Sequence, residues 1–241
     1  MILHKLADSI REQNWFTAVL EITIVVIGIF LGLQVDSLNE ERKDRALEQQ
    51  YLERLHADAI AAVERQISAL NVNEEILRKQ AVVIETLRAS HLPPELYDEF
   101  SVGLAFVGIH NPLIWRWGTV EELYSTGNIR LIRDLELRNL ISETETHYQH
   151  DVDFIKAATQ RIHISWGQIS TRFDPVEYEL SLRGVAKVRF DLGALATDDE
   201  FVAAFSNLHL NSKLIALFSD SHLEYLRRFE AGIAKARGLD Q

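Results

Sequence analysis

The apolar run from Phe16 to Val35, FTAVLEITIVVIGIFLGLQV, is the feature that most constrains this chain. It holds one ionisable side chain, Glu21, and as a helix it would cross the roughly 30 Å hydrocarbon core of a bilayer. A soluble protein does not leave so long an apolar helix in water, because the hydrophobic effect opposes it. We therefore predict a single-pass membrane protein with a transmembrane helix over residues 15–35 and Trp15 at the interface.

A cleavable signal peptide is the competing interpretation of this run. The apolar core of a signal peptide is usually about 7–15 residues long and is followed by a site of small residues. This run is longer, and the polar sequence DSLNEERK follows it directly. The pattern favours an uncleaved membrane anchor.

Composition limits the function of the remaining chain. The 241 residues carry a formal net charge of −11, which argues against binding to nucleic acid, and they include no cysteine. The sequence has no GxxxxGK[ST], GxSxG, HExxH or GxGxxG pattern. We therefore expect a protein that is not an enzyme and holds no cofactor.

Helical spacing dominates the rest of the chain. The interval from Asp36 to Ala89 contains neither Pro nor Gly, and its apolar residues recur three and four positions apart. This predicts that the membrane helix continues as a stalk helix over about 36–90, ended by the His91-Leu92-Pro93-Pro94 sequence. An amphipathic stub over residues 1–14, which we expect to be cytoplasmic, precedes the span.

Further elements follow from helix-stop and helix-cap residues. We predict helices over about 94–107, 119–125 and 129–173, a short strand within 187–192, a helix opened by the capping-box sequence 197–200, and a last helix from Asn211 to about Arg237. A loop over 108–118 holds Trp115-Arg116-Trp117, which we interpret as a plug closing the bundle rather than as a binding site. The predicted fold class is all-α: one transmembrane helix, a long stalk helix, and a helical bundle over about 94–238 within the soluble domain 36–241.

Two sequence blocks resemble a known family. The first is Asn14-Trp15-Phe16, Glu21-Ile22 through Gly28-Ile29, Gln34-Val35 and Leu38-Asn39-Glu40; the second is Glu121-Glu122-Leu123, Ser125 through Asp134, and Leu137-Arg138. Together they resemble an uncharacterised family of small single-pass bacterial inner-membrane proteins. Two positions depart from the family pattern, since Leu20 replaces a Gly and Leu38 replaces a Trp.

The resemblance implies a location but no reaction. It implies a bacterial inner-membrane protein with a cytoplasmic N-terminus and a periplasmic C-terminal domain. The residues themselves leave the orientation open. Lys5 and Arg11 precede the span, whereas Arg42, Lys43 and Arg45 follow it, and this count leans towards a cytoplasmic C-terminus. A short stub before an anchor points the other way.

One face of the predicted span has an unusual composition. At about 100° per residue, small residues and the one acid fall on the same side of the helix. This predicted interface consists of Ala18, Glu21, Val25, Gly28, Gly32 and Asn39. Small residues four apart let helix backbones approach closely, and a charge inside the bilayer costs roughly 2.5–3.5 kcal/mol on insertion scales. We predict that this face meets a second copy of the chain; the alternative is a monomer whose Glu21 is protonated or reaches the nearby lipid headgroups.

Two clusters in the soluble domain carry weaker hypotheses. Glu143, His147, His150 and Asp151 share a helical face and could ligate a metal, but a solvated acidic face explains them equally, so no metal is predicted. The second cluster is Gly127, Asn128, Arg130 and Arg133, which we interpret as a helix-junction motif with positive φ at Gly127-Asn128.

Three functions are compatible with these features. The first is a non-enzymatic structural or assembly protein of the inner membrane, self-associating through span and stalk, with the lipid bilayer and a second copy as partners. The second is a ligand-sensing or regulatory accessory subunit of another membrane complex. The third is a proton- or ion-conducting oligomer that uses Glu21.

Overall fold

The computed structural model describes residues 15–106, 118–177 and 187–239. Its α-helices are α1 (Trp15–Ala89), α2 (Tyr97–Ala105), α3 (Gly118–Ser125), α4 (Leu135–Ile169), α5 (Leu192–Thr197) and α6 (Asp199–Ala236). Two 3-10 turns, Pro94–Leu96 and Asn128–Leu131, and two short strands, β1 (Asp174–Glu177) and β2 (Lys187–Arg189), complete the described elements. The predicted all-α fold class is confirmed. The predicted stub 1–14 and the loop that holds Trp115-Arg116-Trp117 lie outside the described residues.

Contacts divide the chain into two units, Met1–Tyr51 and Leu52–Gln241, and α1 passes from one to the other. In the first unit nearly every described side chain is exposed. After the apolar run, the helix sequence of this unit is rich in charged residues, and Arg45 pairs with Glu41 one turn earlier at 2.6 Å. Such pairs support a helix that has no packed face, by a few tenths of a kcal/mol each.

The end of α1 follows from its sequence. Ser90 adopts a left-handed φ of 49°, and its N–H donates to the Leu87 carbonyl at 3.3 Å. Two prolines follow at 93 and 94, and a helix does not continue into a residue that precedes proline. The helix therefore ends where the sequence predicted, close to residue 90.

The core of the second unit is formed by α4 and α6, which run antiparallel. Contacts between them fall in opposite order along the two helices: Glu136 with Lys235 at 3.0 Å, His147 stacked on Tyr225 at 3.8 Å, and Arg161 with Asn211 at 3.5 Å. Buried side chains recur at helical spacing on both, including Ile155, Ile162, Phe201, Phe205, Leu208 and Ile215.

The stalk part of α1 packs against α6 along a seam with a seven-residue repeat. Its buried positions include Leu55, Ala62, Ala69, Ile76 and Val83 in one row and Leu52, Ala59, Gln66, Asn73, Gln80 and Leu87 in the other. This is the a/d spacing of a coiled coil. The seam is antiparallel, because Gln66 bonds to Ser219 while Gln80, further along α1, bonds to Ser212.

The short helix α2 packs against the two strands within the second unit. β1 and β2 pair antiparallel, and the Tyr97 hydroxyl of α2 donates to the Val188 carbonyl at 3.2 Å. Phe190 packs on Tyr97 and Phe100, with ring centroids 5.8 and 4.8 Å apart. The predicted strand within 187–192 is therefore present, whereas β1 was not predicted.

Two predicted helix boundaries are wrong. α6 is one helix from Asp199, and Asn211 does not cap a new one; its amide donates to the Asn207 carbonyl at 2.7 Å inside the helix. α4 begins at Leu135 rather than Ile129, because Asp134 caps it by accepting from Leu137 N–H at 3.1 Å. Asn211 thus bonds within a continuing helix instead of opening one, and the side chain that opens α4 is Asp134.

Candidate functional site

The apolar segment at the start of α1 is the most exposed hydrophobic surface in the described chain. Fifteen large apolar side chains from Trp15 to Leu38 are exposed, each by 49–70% of its area. Large apolar patches on a protein mark a surface that something else covers.

The structure places the predicted interface residues on this segment. Glu21, Val25, Gly28, Gly32 and Asn39 are all exposed in α1, and Ala18 lies in the same helix. A Cβ added at Gly28 or Gly32 would meet nothing within 4 Å. The Thr23 hydroxyl donates to the Val19 carbonyl at 2.8 Å, so this polar group is already satisfied within the helix. Glu21 is the one ionisable side chain of the run, and it is exposed on α1.

Within the described residues, two helices are long and apolar enough to cross a membrane, judged by length and composition: α1 and α6. They differ in burial. The apolar window of α1 is wholly uncovered, whereas 44% of that of α6 is buried in the bundle. The composition of α6 is therefore explained by its place in the core, and that of α1 is not.

The helix-junction residues lie between α3 and α4. Gly127 has a φ of 71°, the left-handed conformation that favours glycine, and it ends α3. Asn128 does not share this conformation, which corrects that part of the prediction, and begins the 3-10 turn instead. Arg130 and Arg133 are exposed. Glu122 accepts a bond from Arg54 of α1, and Thr119 donates to Asp58 of α1 at 2.7 Å, so the junction is tied to α1.

The cluster on α4 that could have held a metal is Glu143, His147, His150 and Asp151. Its last three residues contact different partners in the structure. His147 stacks on Tyr225 of α6, and His150 is largely exposed with Nδ1 3.5 Å from Asp151 Oδ1. Asp151 is buried and its Oδ2 lies 3.7 Å from Nδ1 of His222, which is fully buried on α6. Among the described residues, no group of three or more His, Cys, Asp or Glu is placed to hold a metal ion.

Burial sets the charge states of this pair. It raises the pKa of Asp151, an effect that the neighbouring His150 partly offsets. Burial, together with the nearby His147, lowers the pKa of His222 to about 4. Both shifts favour the neutral form of the group, as expected where water is excluded.

A second polar network lies in the α1–α6 seam. Gln80 is fully buried; its Oε1 lies 3.0 Å from His209 Nδ1 and its amide donates to Ser212 Oγ at 3.2 Å. Gln66 donates to the Ser219 carbonyl at 2.8 Å. Burial lowers the pKa of His209, as does the nearby Lys213. Buried polar groups at such repeat positions fix the register of a helix pair at some cost in stability.

The sequence signals for these two networks differ. Gln66, Asn73 and Gln80 stand seven residues apart in a helical stretch; this spacing is visible in the sequence, but the periodicity of the apolar residues alone does not reveal it. His222 carries no such signal. Its partner lies 71 positions away on another helix, and only the packing of α4 on α6 brings the two together.

These features define a class rather than a family: a helical bundle joined by a continuous helix to an exposed apolar segment. No protein-family model, no curated protein and no solved structure matches the chain.

Proposed function

We propose that this protein is a non-enzymatic, membrane-anchored structural or assembly protein that self-associates through the first part of α1. The observation that carries the proposal is the exposure of all fifteen large apolar side chains between Trp15 and Leu38. We propose further that the chain belongs to the family of single-pass inner-membrane proteins whose sequence blocks it resembles.

The energy of this exposed segment supports insertion into a bilayer. Burial of one large apolar side chain is worth roughly 1.5–3 kcal/mol, so fifteen of them represent an incentive of tens of kcal/mol. The cost of the one charged group, Glu21, is roughly 2.5–3.5 kcal/mol on insertion scales and does not cancel that incentive. The segment is also long enough to span the hydrocarbon core.

The arrangement of residues on the segment supports self-association. Gly28 and Gly32 present bare backbone, which allows a second helix to approach closely. Glu21 lies on the same face, where a neighbouring helix offers hydrogen-bonding groups that lipid does not. Because one polar contact between membrane helices is worth only about 1–2 kcal/mol, close packing at the glycines has to supply much of the association energy.

Cross-linking in membranes tests this proposal. Single Cys residues at positions 21, 28 and 32 should form cross-linked dimers, whereas Cys at 22, 29 and 33, on a face turned about 100° around the helix, should not. The chain has no native cysteine, so each cross-link reports one position. Gly28→Ile with Gly32→Ile should weaken the dimer more than Glu21→Gln does, because Gln keeps a hydrogen-bonding group. Ile22→Ala is the control and should change little.

Two outcomes would contradict the proposal. Equal cross-linking on both faces, or none on either, would leave the segment as a plain anchor. Recovery of the chain with a different membrane protein, and without a second copy of itself, would instead favour an accessory subunit.

A further inference from the structure

The pair formed by Asp151 on α4 and His222 on α6 has an unusual environment for two ionisable groups. Asp151 is 4% exposed, His222 is 0% exposed, and the Oδ2–Nδ1 distance is 3.7 Å. Within the described residues, Oδ2 of Asp151 makes no hydrogen bond, while Oδ1 has only the 3.5 Å contact with His150. A buried carboxylate with so few donors is costly to keep ionised.

The neighbouring helices add few charges to this pair. From α4 come His147, which stacks on Tyr225 of α6, and the exposed His150; Tyr148 lies with its ring 5.6 Å from that of His222. From α1, Gln66 donates to the Ser219 carbonyl, one turn before His222. Every buried position of α1 between Leu52 and Leu87 is uncharged. The Asp151 carboxyl is thus the one acid that faces His222 among these contacts.

We propose that Asp151 and His222 share one proton and act as a pH-dependent lock on the seam between α4 and α6. With one proton the pair has no net charge, and a protonated Oδ2 can donate to Nδ1 of His222. With no proton it leaves a buried negative charge, and with two protons a buried positive charge. Because the groups are in contact, the two protonation steps belong to the pair rather than to either residue. The proposal stands apart from membrane association, since both residues lie in the bundle.

The directions of the two pKa shifts give each residue an opposite effect on stability. The folded-state pKa of His222 is lowered from 6.5 to about 4, so its contribution is complete above 6.5 and is lost as the pH falls towards 4. The pKa of Asp151 is raised above 3.8, so its contribution grows as the pH falls through that raised pKa. Where the pH ranges of the two contributions overlap, the loss from His222 and the gain from Asp151 cancel in the free energy of unfolding. The pair then keeps the α4–α6 seam intact in mild acid.

Unfolding of the full-length protein in detergent micelles, measured at a series of pH values, tests this directly. Relative to the wild type, Asp151→Asn should lose stability as the pH falls from 6.5 towards 4, because His222 is then left without its counterpart. His222→Gln should gain relative stability over the same range. Each unmatched proton changes the unfolding equilibrium constant by up to about tenfold per pH unit. The double variant should show neither trend, and neither should Thr144→Val, a control at another buried polar position of α4.

A second measurement needs no variant that must remain folded. The infrared spectrum of the wild-type protein should show a protonated carboxylic acid at a pH above the ordinary range of aspartate. Parallel pH profiles for the two single variants, or the absence of that absorption, would show that the pair is a static polar contact and would overturn the proposal.

Discussion

Gly103 shows how one residue sets the distance between two elements. It lies on α2 where that helix crosses α1, and a Cβ built there would stand 2.6 Å from the Lys79 carbonyl oxygen and 2.7 Å from Val83 Cγ2. The carbonyl belongs to the helix backbone and cannot move without disturbing α1. The crossing therefore requires a residue with no side chain.

Substitution of Gly103 by Ala should destabilise the bundle by about 1–3 kcal/mol, the usual cost of overpacking a core. Thermal unfolding followed by circular dichroism measures the change. Gly167→Ala, in a helical position where a Cβ would meet nothing within 4 Å, should be neutral or stabilise by up to about 1 kcal/mol. Equal effects at the two positions would show that the α1–α2 crossing is not close.

At the scale of elements, the α1–α6 seam combines an apolar repeat with buried amides. Apolar side chains alone allow a helix pair to slide by one turn or one repeat. The Gln80 bonds are made only where Ser212 and His209 lie opposite it, and in the same register Gln66 donates to the Ser219 backbone carbonyl. We infer that these bonds select the register, as buried polar residues do in coiled coils.

A double-mutant cycle at Gln80 and His209 tests this role. Gln80→Leu removes the acceptor of a buried imidazole and should cost about 1–3 kcal/mol of unfolding free energy. Gln80→Leu with His209→Leu should recover much of that loss, because no polar group is then stranded. Glu74→Gln, on the exposed side of α1, should change stability by less than about 0.5 kcal/mol. Additive effects of the two substitutions would mean that the two side chains are not coupled.

At the scale of the whole molecule, the proposed membrane anchor allows the bundle to lie on either side of the membrane. We expect the N-terminus to be cytoplasmic and the bundle to be periplasmic. The reasons are the short stub before the apolar run and the resemblance of the two sequence blocks to the family of single-pass inner-membrane proteins. The Lys/Arg count, two before the apolar run against three within ten residues after it, leans the other way by a single residue.

Reporter fusions at Gln241 measure the orientation. An enzyme that folds only in the periplasm should be active there, and one that works only in the cytoplasm should be inactive. The opposite pair of results would place the bundle in the cytoplasm. Deletion of residues 16–35 should abolish periplasmic reporter activity, because the apolar run is then missing as an export signal.

The sequence by itself determined the elements that local rules govern. Apolar spacing and the absence of Pro and Gly fixed α1 as far as residue 90, and Pro93-Pro94 fixed its end. Helical composition determined the all-α class. The length of the apolar run identified the segment whose apolar side chains are exposed in the structure. These are properties of neighbouring residues, so a single sequence contains them.

The tertiary structure decided the contacts between residues far apart in the chain. Asn211 resembled a helix cap in isolation, but the core required an uninterrupted α6. The sequence pattern indicated that Asp151 lies on a solvated face of α4. In the structure it is buried against His222 of α6. Such pairings depend on which helix faces lie against one another. That choice is made by the free energy of the whole core and not by any local stretch of sequence.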